Sequence, residues 1–434
     1  MNVFYLCRVT RPARATQERS LNALQNSVSN PIQREEVNNH VHSTYSFSPY
    51  SPAAITEHAV AAGLKTVGLM DHDAIAGAPE FLAAARTNGI AATVGCEIRV
   101  NLSGTPLEGR RVNNPDEPNI IYIAFHSIPA NQFDKLETFL EPIRTARQKR
   151  MRAETETLHQ LLQQRNGPSL DFDQDILPRS QAAVGGTLTE RHILFALAEK
   201  LIEQHGTGQP LVDYLHDTLQ LSLSAKAVEQ LSDPGNPHLT YDLLGVLKSE
   251  LVPHFFIPSS TEECPSAQQA VDFATSIHAI PAYAYLGDIQ ESPTGDKRAQ
   301  TFEDSFLDEL IQTLTAIGFQ AVTYMPPRNT PQQLARLSSL CQENGLMEIS
   351  GVDINSSRQS FNCPILQEPA YHHLCDAAWA LIAHENLALH DAKWALFNPH
   401  NPHATEPLKQ RINRYASWAR QTDPAQLENM KELL

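Results

Sequence analysis

The sequence lacks any apolar run long enough to cross a bilayer, and its first residues offer only the patch VFYL before charged residues begin. A membrane-spanning helix needs about 20 apolar residues, and a secretory signal needs an apolar segment of about 7 to 15 residues. We therefore expect a protein that makes no membrane contact and carries no secretory signal.

Closely spaced cysteines are also missing, because the six cysteines are scattered and no two of them form a CxxC pair. Zinc ribbons and disulfide frameworks both depend on regularly spaced cysteines. We expect reduced thiols and a cytoplasmic protein, since disulfides persist mainly in oxidising compartments.

Positive charge is scarce: 33 Lys and Arg stand against 49 Asp and Glu, which gives a formal net charge of −16. A protein that binds long nucleic acids without sequence preference needs many cationic side chains to neutralise phosphates. The charge therefore disfavours extended nucleic-acid binding. A small anionic substrate remains compatible with it, because bound metal ions supply positive charge locally.

From residue 37 onward, short apolar segments alternate with helical ones. The predicted strands are VNNHVH, KTVGLM, IAATVGCEI, NIIYIAFH, IPAYAYL, FQAVTYM and LMEISGVD. This alternation is typical of βα units around a parallel sheet. Polar residues where the strands end predict a site at the carboxyl edge of that sheet.

The domain organisation follows from the same pattern. We predict an N-terminal leader over 1–36, an α/β domain formed by 37–130 and 256–363, a helical insertion over 131–255 and a C-terminal helical segment over 364–434. A length of 434 residues fits one large domain with an insertion, or two domains.

Several residues at strand ends could bind a metal. His40 and His42 lie two apart on a predicted strand, so both imidazoles point to one face and can reach one ion. Each candidate alone also has a structural explanation, as a turn, a helix cap or a buried histidine. Together they form a donor set that suits Zn²⁺, Mn²⁺ or Fe²⁺. The further candidates are Asp71, His72, Glu97, His126, Arg191, His192 and Asp353.

The ordered motifs NNHVHSTYS, GLKTVGLMDHDAIAG and GIAATVGCEI resemble the opening motifs of the polymerase-and-histidinol-phosphatase (PHP) family. TERHILFAL resembles the family's R-x-H-[IF]-A segment, and SGVDIN stands where the family shows G-S-D-x-H. The resemblance runs from about residue 38 to residue 356. It implies a distorted (β/α)7 TIM-like barrel with a helical insertion, and a site with two or three metal ions that hydrolyses phosphoesters.

The resemblance also implies a role for each candidate. Glu97 would bridge two ions, and Asp71 would orient an imidazole by accepting its other N–H. The implied metal ligands are His40, His42, His72, Glu97, His126, His192 and Asp353, with Asn355 at the position of the family's last histidine.

The sequence departs from the family pattern at two positions, and the resemblance implies that both would supply ligands to the same metal ion. Phe47, Ser48 and Pro49 stand where the family offers an Asp or a His, and Asn355 replaces the usual His. Both missing ligands belong to the ion held by His72, so we expect this third ion to be weak or absent. Tyr45, Ser48 or water filling the gap is the alternative. The two expected sets are His40, His42, Glu97 and Asp353 for one ion, and Glu97, His126 and His192 for the other.

Three arginines are candidates for binding phosphate: Arg191, Arg328 and Arg358. A guanidinium group matches phosphate with two parallel hydrogen bonds, although each arginine also fits a surface position. Asp288, in IPAYAYLGD, is a candidate acid where the family often carries a His-Pro pair. Cys96 should point away from Glu97, to the opposite side of its strand.

The leading functional hypothesis is a phosphoesterase that hydrolyses a small phosphorylated metabolite or nucleotide with a metal-activated water. It would use two or three divalent ions, of Mn, Zn or Fe. The alternatives are a nuclease that trims nucleic-acid ends and a catalytically impaired metal-binding regulatory protein. Phe47 and Asn355 favour the last alternative.

Overall fold

The computed structural model describes residues 35–114, 116–289 and 301–434. In these residues one seven-stranded sheet runs in sequence order. After the last strand, Ile354 bridges Val41 of the first strand, which nearly closes the sheet into a barrel. The predicted distorted (β/α)7 barrel is confirmed. The strands are β1 (Val37–Val41), β2 (Thr66–His72), β3 (Ala91–Asn101), β4 (Ile120–His126), β5 (Ile280–Tyr285), β6 (Ala321–Tyr324) and β7 (Met347–Ser350).

One strand runs against the others. β4 is antiparallel to both β3 and β5, whereas the remaining neighbouring strands pair in parallel. His126, at the end of β4, therefore lies opposite Ile280, the first residue of β5. β4 therefore approaches the cluster from the direction opposite to the other strands, and the role of His126 as a metal ligand stays a prediction.

Helices surround the barrel and form a separate group beside it. Their bounds are α1 (Pro52–Ala61), α2 (Ala78–Asn88), α3 (Phe133–Gln164), α4 (Glu190–His205), α5 (Gln209–Asp213), α6 (Ala225–Ser232), α7 (Leu239–Phe255), α8 (Ala267–Ser276), α9 (Leu307–Ile317), α10 (Pro331–Asn344), α11 (His372–His390) and α12 (Leu408–Gln421). At the start of α1 the Ser51 hydroxyl accepts a hydrogen bond from the Ala54 N–H, and Pro52 is the first helical residue.

The long helix α3 belongs to two hydrophobic cores. Its first half contributes Leu136 and Leu140 to the core between the strands and the outer helices. Its second half contributes Leu158 and Leu162 to the core of the helical insertion, which Phe47 from the barrel also joins. Residues 36–434 form one compact unit in which the insertion packs on the barrel.

The C-terminal helices α11 and α12 cover the amino end of the barrel. Their apolar side chains share a core with the first residues of four strands: Ala91, Ile280, Ala321 and Met347. Glu385 of α11 is buried there, and its carboxylate accepts hydrogen bonds of 2.8 Å from the Thr93 hydroxyl and of 2.8 Å from the Val94 N–H. Burial raises the pKa of Glu385 to about 8.

None of the described helices combines the length and the apolar character that crossing a bilayer requires. The predicted leader over 1–36 falls almost entirely outside the described residues.

Candidate metal centre

Five of the predicted ligands meet at the carboxyl edge of the barrel. The His72 Nδ1 lies 2.9 Å from the Glu97 carboxylate, and the His40 Nε2 lies 3.8 Å from it. The His42 Nε2 lies 3.2 Å from the Asp353 carboxylate. In two groups all ligand atoms lie within 4.8 Å of one another: His40, His42 and Asp353, and His42, His72 and Glu97.

Strand register explains why these side chains converge. His72 and Glu97 are direct partners in the parallel pairing of β2 and β3. On the other side of the cluster, the Ile354 N–H donates to the His40 carbonyl, and the His42 N–H donates to the Ile354 carbonyl. This backbone pairing of Ile354 with β1 places the preceding residue, Asp353, beside the end of β1. Cys96 faces the outer core, as predicted.

A glycine permits this close approach. A Cβ atom at Gly351 would lie 2.5 Å from the His40 Cβ, and real Cβ atoms do not come that close. Gly351 therefore lets the chain after β7 pass directly beside the His40 side chain.

Burial shifts the pKa of several ligand candidates. It lowers the pKa of His40 and lowers the pKa of His72 well below its ordinary value. Burial also raises the pKa of the Glu97 carboxyl. His42 differs: burial lowers its pKa, but the hydrogen bond to Asp353 outweighs this and leaves the pKa raised. Neutral imidazoles are the form in which histidine binds metals.

Two buried nitrogens suit a bound cation. Among the described residues, the Nε2 atoms of His40 and His126 have no hydrogen-bond partner. Leaving such an atom unpaired costs on the order of 1–3 kcal/mol, and a cation bound to either nitrogen would remove that cost there. The donor set of imidazoles and carboxylates also matches Zn²⁺, Mn²⁺ and Fe²⁺. The residues therefore fit a divalent metal centre.

Asp71 acts through a serine rather than directly on an imidazole. Its carboxylate accepts hydrogen bonds from the Ser43 N–H (2.7 Å), the Ser43 hydroxyl (2.6 Å) and the Ser46 hydroxyl (2.7 Å). The Ser46 oxygen lies 3.2 Å from the His42 Nδ1. Because the Ser46 proton goes to Asp71, the Ser46 oxygen accepts from the His42 Nδ1–H, which leaves Nε2, the nitrogen that faces Asp353, as the one that could bind a metal. The predicted direct contact between Asp71 and an imidazole is wrong, and sequence reasoning missed both serines of HSTYS.

The predicted second ligand set is not gathered in the described part of the chain. The His192 Nδ1 accepts a hydrogen bond from the Thr189 N–H at the start of α4, and its ring lies edge-on to Phe47, at 5.0 Å between centroids. His126 lies nearer the amino edge, where burial and then the charge of His40 lower its pKa to about 3. His72, expected at the weak third ion, is the imidazole that contacts Glu97.

A cavity of about 210 Å³ lies beside the cluster. His72, Glu97 and Asp353 line it on the barrel side, and residues of the insertion line it on the other side. Its further lining includes Phe47, Arg99, Asn113, Asn114, Tyr122, Arg147, Glu190, Arg191, Lys248, Phe256 and Asn355.

Arg191 and Asn355 form a chain of hydrogen bonds that ends on a metal-ligand candidate. The Arg191 Nη1 donates to the Asn355 Oδ1, and the Asn355 Nδ2 donates to the Asp353 carboxylate, both at 2.7 Å. The guanidinium of Arg191 also lies over the Phe47 ring, 5.9 Å from its centroid. Asn355 thus contacts a ligand candidate through its N–H group, while its oxygen is held by Arg191.

Three other predicted site residues lie outside the cavity lining as the described residues define it. Arg358 is exposed and pairs with Asp242 of α7. The Arg328 Nε donates to the Leu286 carbonyl. The Asp288 carboxylate accepts a hydrogen bond of 2.6 Å from the Phe302 N–H and so stabilises its own loop. These contacts hold the three side chains outside the cavity lining, and their predicted roles at the site stay predictions.

Sequence reasoning also missed a buried network of arginines and acids below the cavity. Arg150 makes two hydrogen bonds of 2.8 Å to Glu263 and one of 2.8 Å to Glu190, and Arg99 pairs with Glu263 as well. Burial and the charge of Glu190 raise the pKa of Glu154, beside Arg150, to about 7. The signal was the spacing of residues 144, 147 and 150, which places three arginines on one face of α3.

Residues 38–203 match the family model described as the PHP domain. The chain contains a PHP domain. The matched stretch runs from β1 almost to the end of α4, so the PHP domain supplies the five histidines of the predicted ligand set and Glu97, while Asp353 lies beyond it.

Two solved structures resemble this chain at low sequence identity. An amidohydrolase from Chromobacterium violaceum, with bound sulfate and no metal, is 17% identical over 75% of this chain and 90% of its own, with a TM-score of 0.46. A protein from Bifidobacterium adolescentis assigned as a metal-dependent phosphoesterase is 19% identical over 80% of this chain and 97% of its own, with a TM-score of 0.48. No curated protein matches the chain.

Proposed function

We propose that this protein is a metal-dependent phosphoesterase that hydrolyses a small phosphorylated compound. The observation that carries the proposal is the meeting of His40, His42, His72, Glu97 and Asp353 beside a polar cavity. Burying imidazoles and carboxylates beside one another costs free energy unless a cation lies between them and neutralises the carboxylates.

The residues support two ions that share Glu97. His40, His42, Glu97 and Asp353 would hold the first, and His72 would join Glu97 at the second. Divalent ions at such a site lower the pKa of water and neutralise charge on phosphate oxygens. The donor set is suited to Mn, Zn or Fe.

Arg191 is the side chain that we assign to the substrate phosphate. It lines the cavity beside Asp353, and its described hydrogen bond goes to the neutral amide of Asn355. Its positive charge is therefore available to an anionic ligand, in contrast to Arg99 and Arg150, which pair with buried carboxylates. Charge-assisted hydrogen bonds to phosphate are shorter and stronger than neutral ones.

The cavity favours a small substrate over a polymer. A volume of about 210 Å³ suits a phosphate group with a compact leaving group. The acids Asp116, Glu117 and Glu190 among the lining residues disfavour a long polyanion.

Assays with purified protein and added Mn²⁺ test the proposal against a panel of sugar phosphates, nucleotides and short oligonucleotides. Release of phosphate from monoesters alone supports it, and cleavage of oligonucleotides instead indicates a nuclease. Tight metal binding without turnover of any compound indicates a regulatory protein, the alternative that the Phe47 ring beside His192 favours. Elemental analysis of the purified protein identifies the native metal.

A further inference from the structure

The turn that carries His72 is held by the helical insertion. Directly after His72, the Asp73 N–H donates to the Glu97 carbonyl at 2.9 Å. The Asp73 carboxylate pairs with Arg147 of α3. One turn earlier in the same helix, Arg144 donates to the Asp73 carbonyl at 3.1 Å.

The Asp73 backbone needs these contacts. Its φ is +46°, a left-handed conformation that residues other than glycine adopt rarely and that persists where the surroundings fix it. Asp73 is 1% exposed and Arg147 is 4% exposed, so water cannot replace either partner. The two arginines therefore stabilise an unusual turn at the point where β2 delivers an imidazole to the cluster.

His72 thus lies between two anchored carboxylates. On one side, Asp71 accepts its hydrogen bonds from Ser43 and Ser46 in the loop after β1. On the other side, Asp73 is held by α3. The imidazole between them contacts Glu97, and its position depends on both anchors.

We propose that Arg147 and Arg144 are positioning residues for His72, and that through Asp73 the helical insertion fixes the half of the metal centre formed by His72 and Glu97. This inference rests on the proposed metal centre. Arg147 is the main contributor, because it holds the Asp73 side chain and also lines the cavity, whereas Arg144 holds only the carbonyl.

A titration of the full-length, metal-free protein with Co²⁺ tests this, because bound Co²⁺ reports each site through its visible absorption. We expect Arg147→Met to lower the affinity for the second Co²⁺, the one at His72 and Glu97, by about 10- to 100-fold. The affinity for the first Co²⁺ should stay unchanged. Arg147→Lys, which keeps a cation near Asp73, should recover part of the loss. Arg152→Met is the matched control, since Arg152 is exposed on the same helix and pairs with Asp173.

A double variant separates positioning from general stability. If Arg147 acts through Asp73, Asp73→Asn combined with Arg147→Met should bind Co²⁺ no more weakly than Arg147→Met alone. Circular dichroism checks that each variant is folded. If Arg147→Met is unfolded, Arg147→Lys replaces it, and we expect Arg147→Lys to bind the second Co²⁺ with lower affinity than wild type.

Three outcomes contradict these expectations in different ways. Unchanged binding of the second Co²⁺ in folded Arg147→Met overturns the inference. Equal weakening of both ions also overturns it, because the effect would then not be specific to His72. Wild-type protein that binds no Co²⁺ overturns the proposed metal centre itself.

Discussion

His72 and Glu97 face each other as register partners on two parallel strands, and the His72 Nδ1 lies 2.9 Å from the Glu97 carboxylate. The His40 Nε2 reaches the same carboxylate oxygen from the neighbouring strand, at 3.8 Å. One carboxylate therefore lies between imidazoles of two strands, which is the arrangement expected of a ligand shared by two cations.

Replacing this carboxylate should disrupt metal binding. We expect Glu97→Gln to lose at least one bound ion per chain and to lower kcat/KM by more than about 100-fold, since even residues that only support ligands contribute 10- to 100-fold. Elemental analysis after dialysis and initial-rate assays measure both effects. Retention of full metal content would contradict a shared role for Glu97.

Gly351 should tolerate no side chain. Gly351→Ala places a Cβ 2.5 Å from the His40 Cβ, so we expect a loss of about 1–3 kcal/mol in the free energy of unfolding and weaker metal binding. Gly245→Ala is the control: Gly245 lies in α7 with nothing within 4 Å of an added Cβ, and alanine there should stabilise the helix by about 0.5–1 kcal/mol. Urea unfolding of the two variants compares them, and equal stability would refute the steric argument.

Arg191 should contribute to substrate binding. Arg191→Met removes a charge-assisted hydrogen bond worth about 1.5–3 kcal/mol, so we expect kcat/KM to fall by about 10- to 100-fold. Arg358→Met provides the control, because Arg358 is exposed and pairs with Asp242 away from the cavity lining. If both variants lose activity equally, Arg191 has no specific role at the phosphate.

Glu385 should make stability depend on pH. Burial raises its pKa to about 8, whereas an unfolded Glu titrates near about 4.3. Below that lower value both states hold the proton. As pH rises toward 8, only the unfolded state has released its proton, so the native state loses stability by up to about 1.4 kcal/mol per pH unit.

Comparison with Glu385→Gln isolates this effect from other titrating groups. The glutamine oxygen can still accept from Thr93 and Val94, but it carries no proton to release. The variant's stability relative to wild type should therefore increase from pH 5 to pH 8, as measured by urea unfolding at several pH values. A difference that stays constant with pH would show that Glu385 is not buried as a neutral acid.

Sequence patterns predicted the strands and the edge that carries the site, because each strand is a short apolar run followed by a polar residue, while the barrel was implied by the family resemblance. They did not reveal the direction of β4, since NIIYIAFH is buried equally well in either direction. The signal lay in the connection: its described residues, 102–114 and 116–119, contain no helix, and a parallel crossover normally needs one.

Some residues of the candidate site could likewise be predicted from the sequence, and others could not. His40, His42, His72, Glu97 and Asp353 stand at strand ends in the sequence, so local patterns predicted them. The roles of Ser46, Asp73 and Arg147 depend on contacts between distant segments, which no local pattern specifies. The contacts of Arg328, Arg358 and Asp288 likewise join separate segments of the chain, such as that of Arg358 with Asp242, so local patterns could not place these side chains.

Helix α3 has 32 residues and is therefore about 48 Å long, and its two halves lie in different hydrophobic cores. Separating the barrel from the helical layer would require breaking this rod or exposing one of its apolar faces to water. The two parts should therefore melt in a single cooperative transition, and neither should persist as an autonomous folding unit.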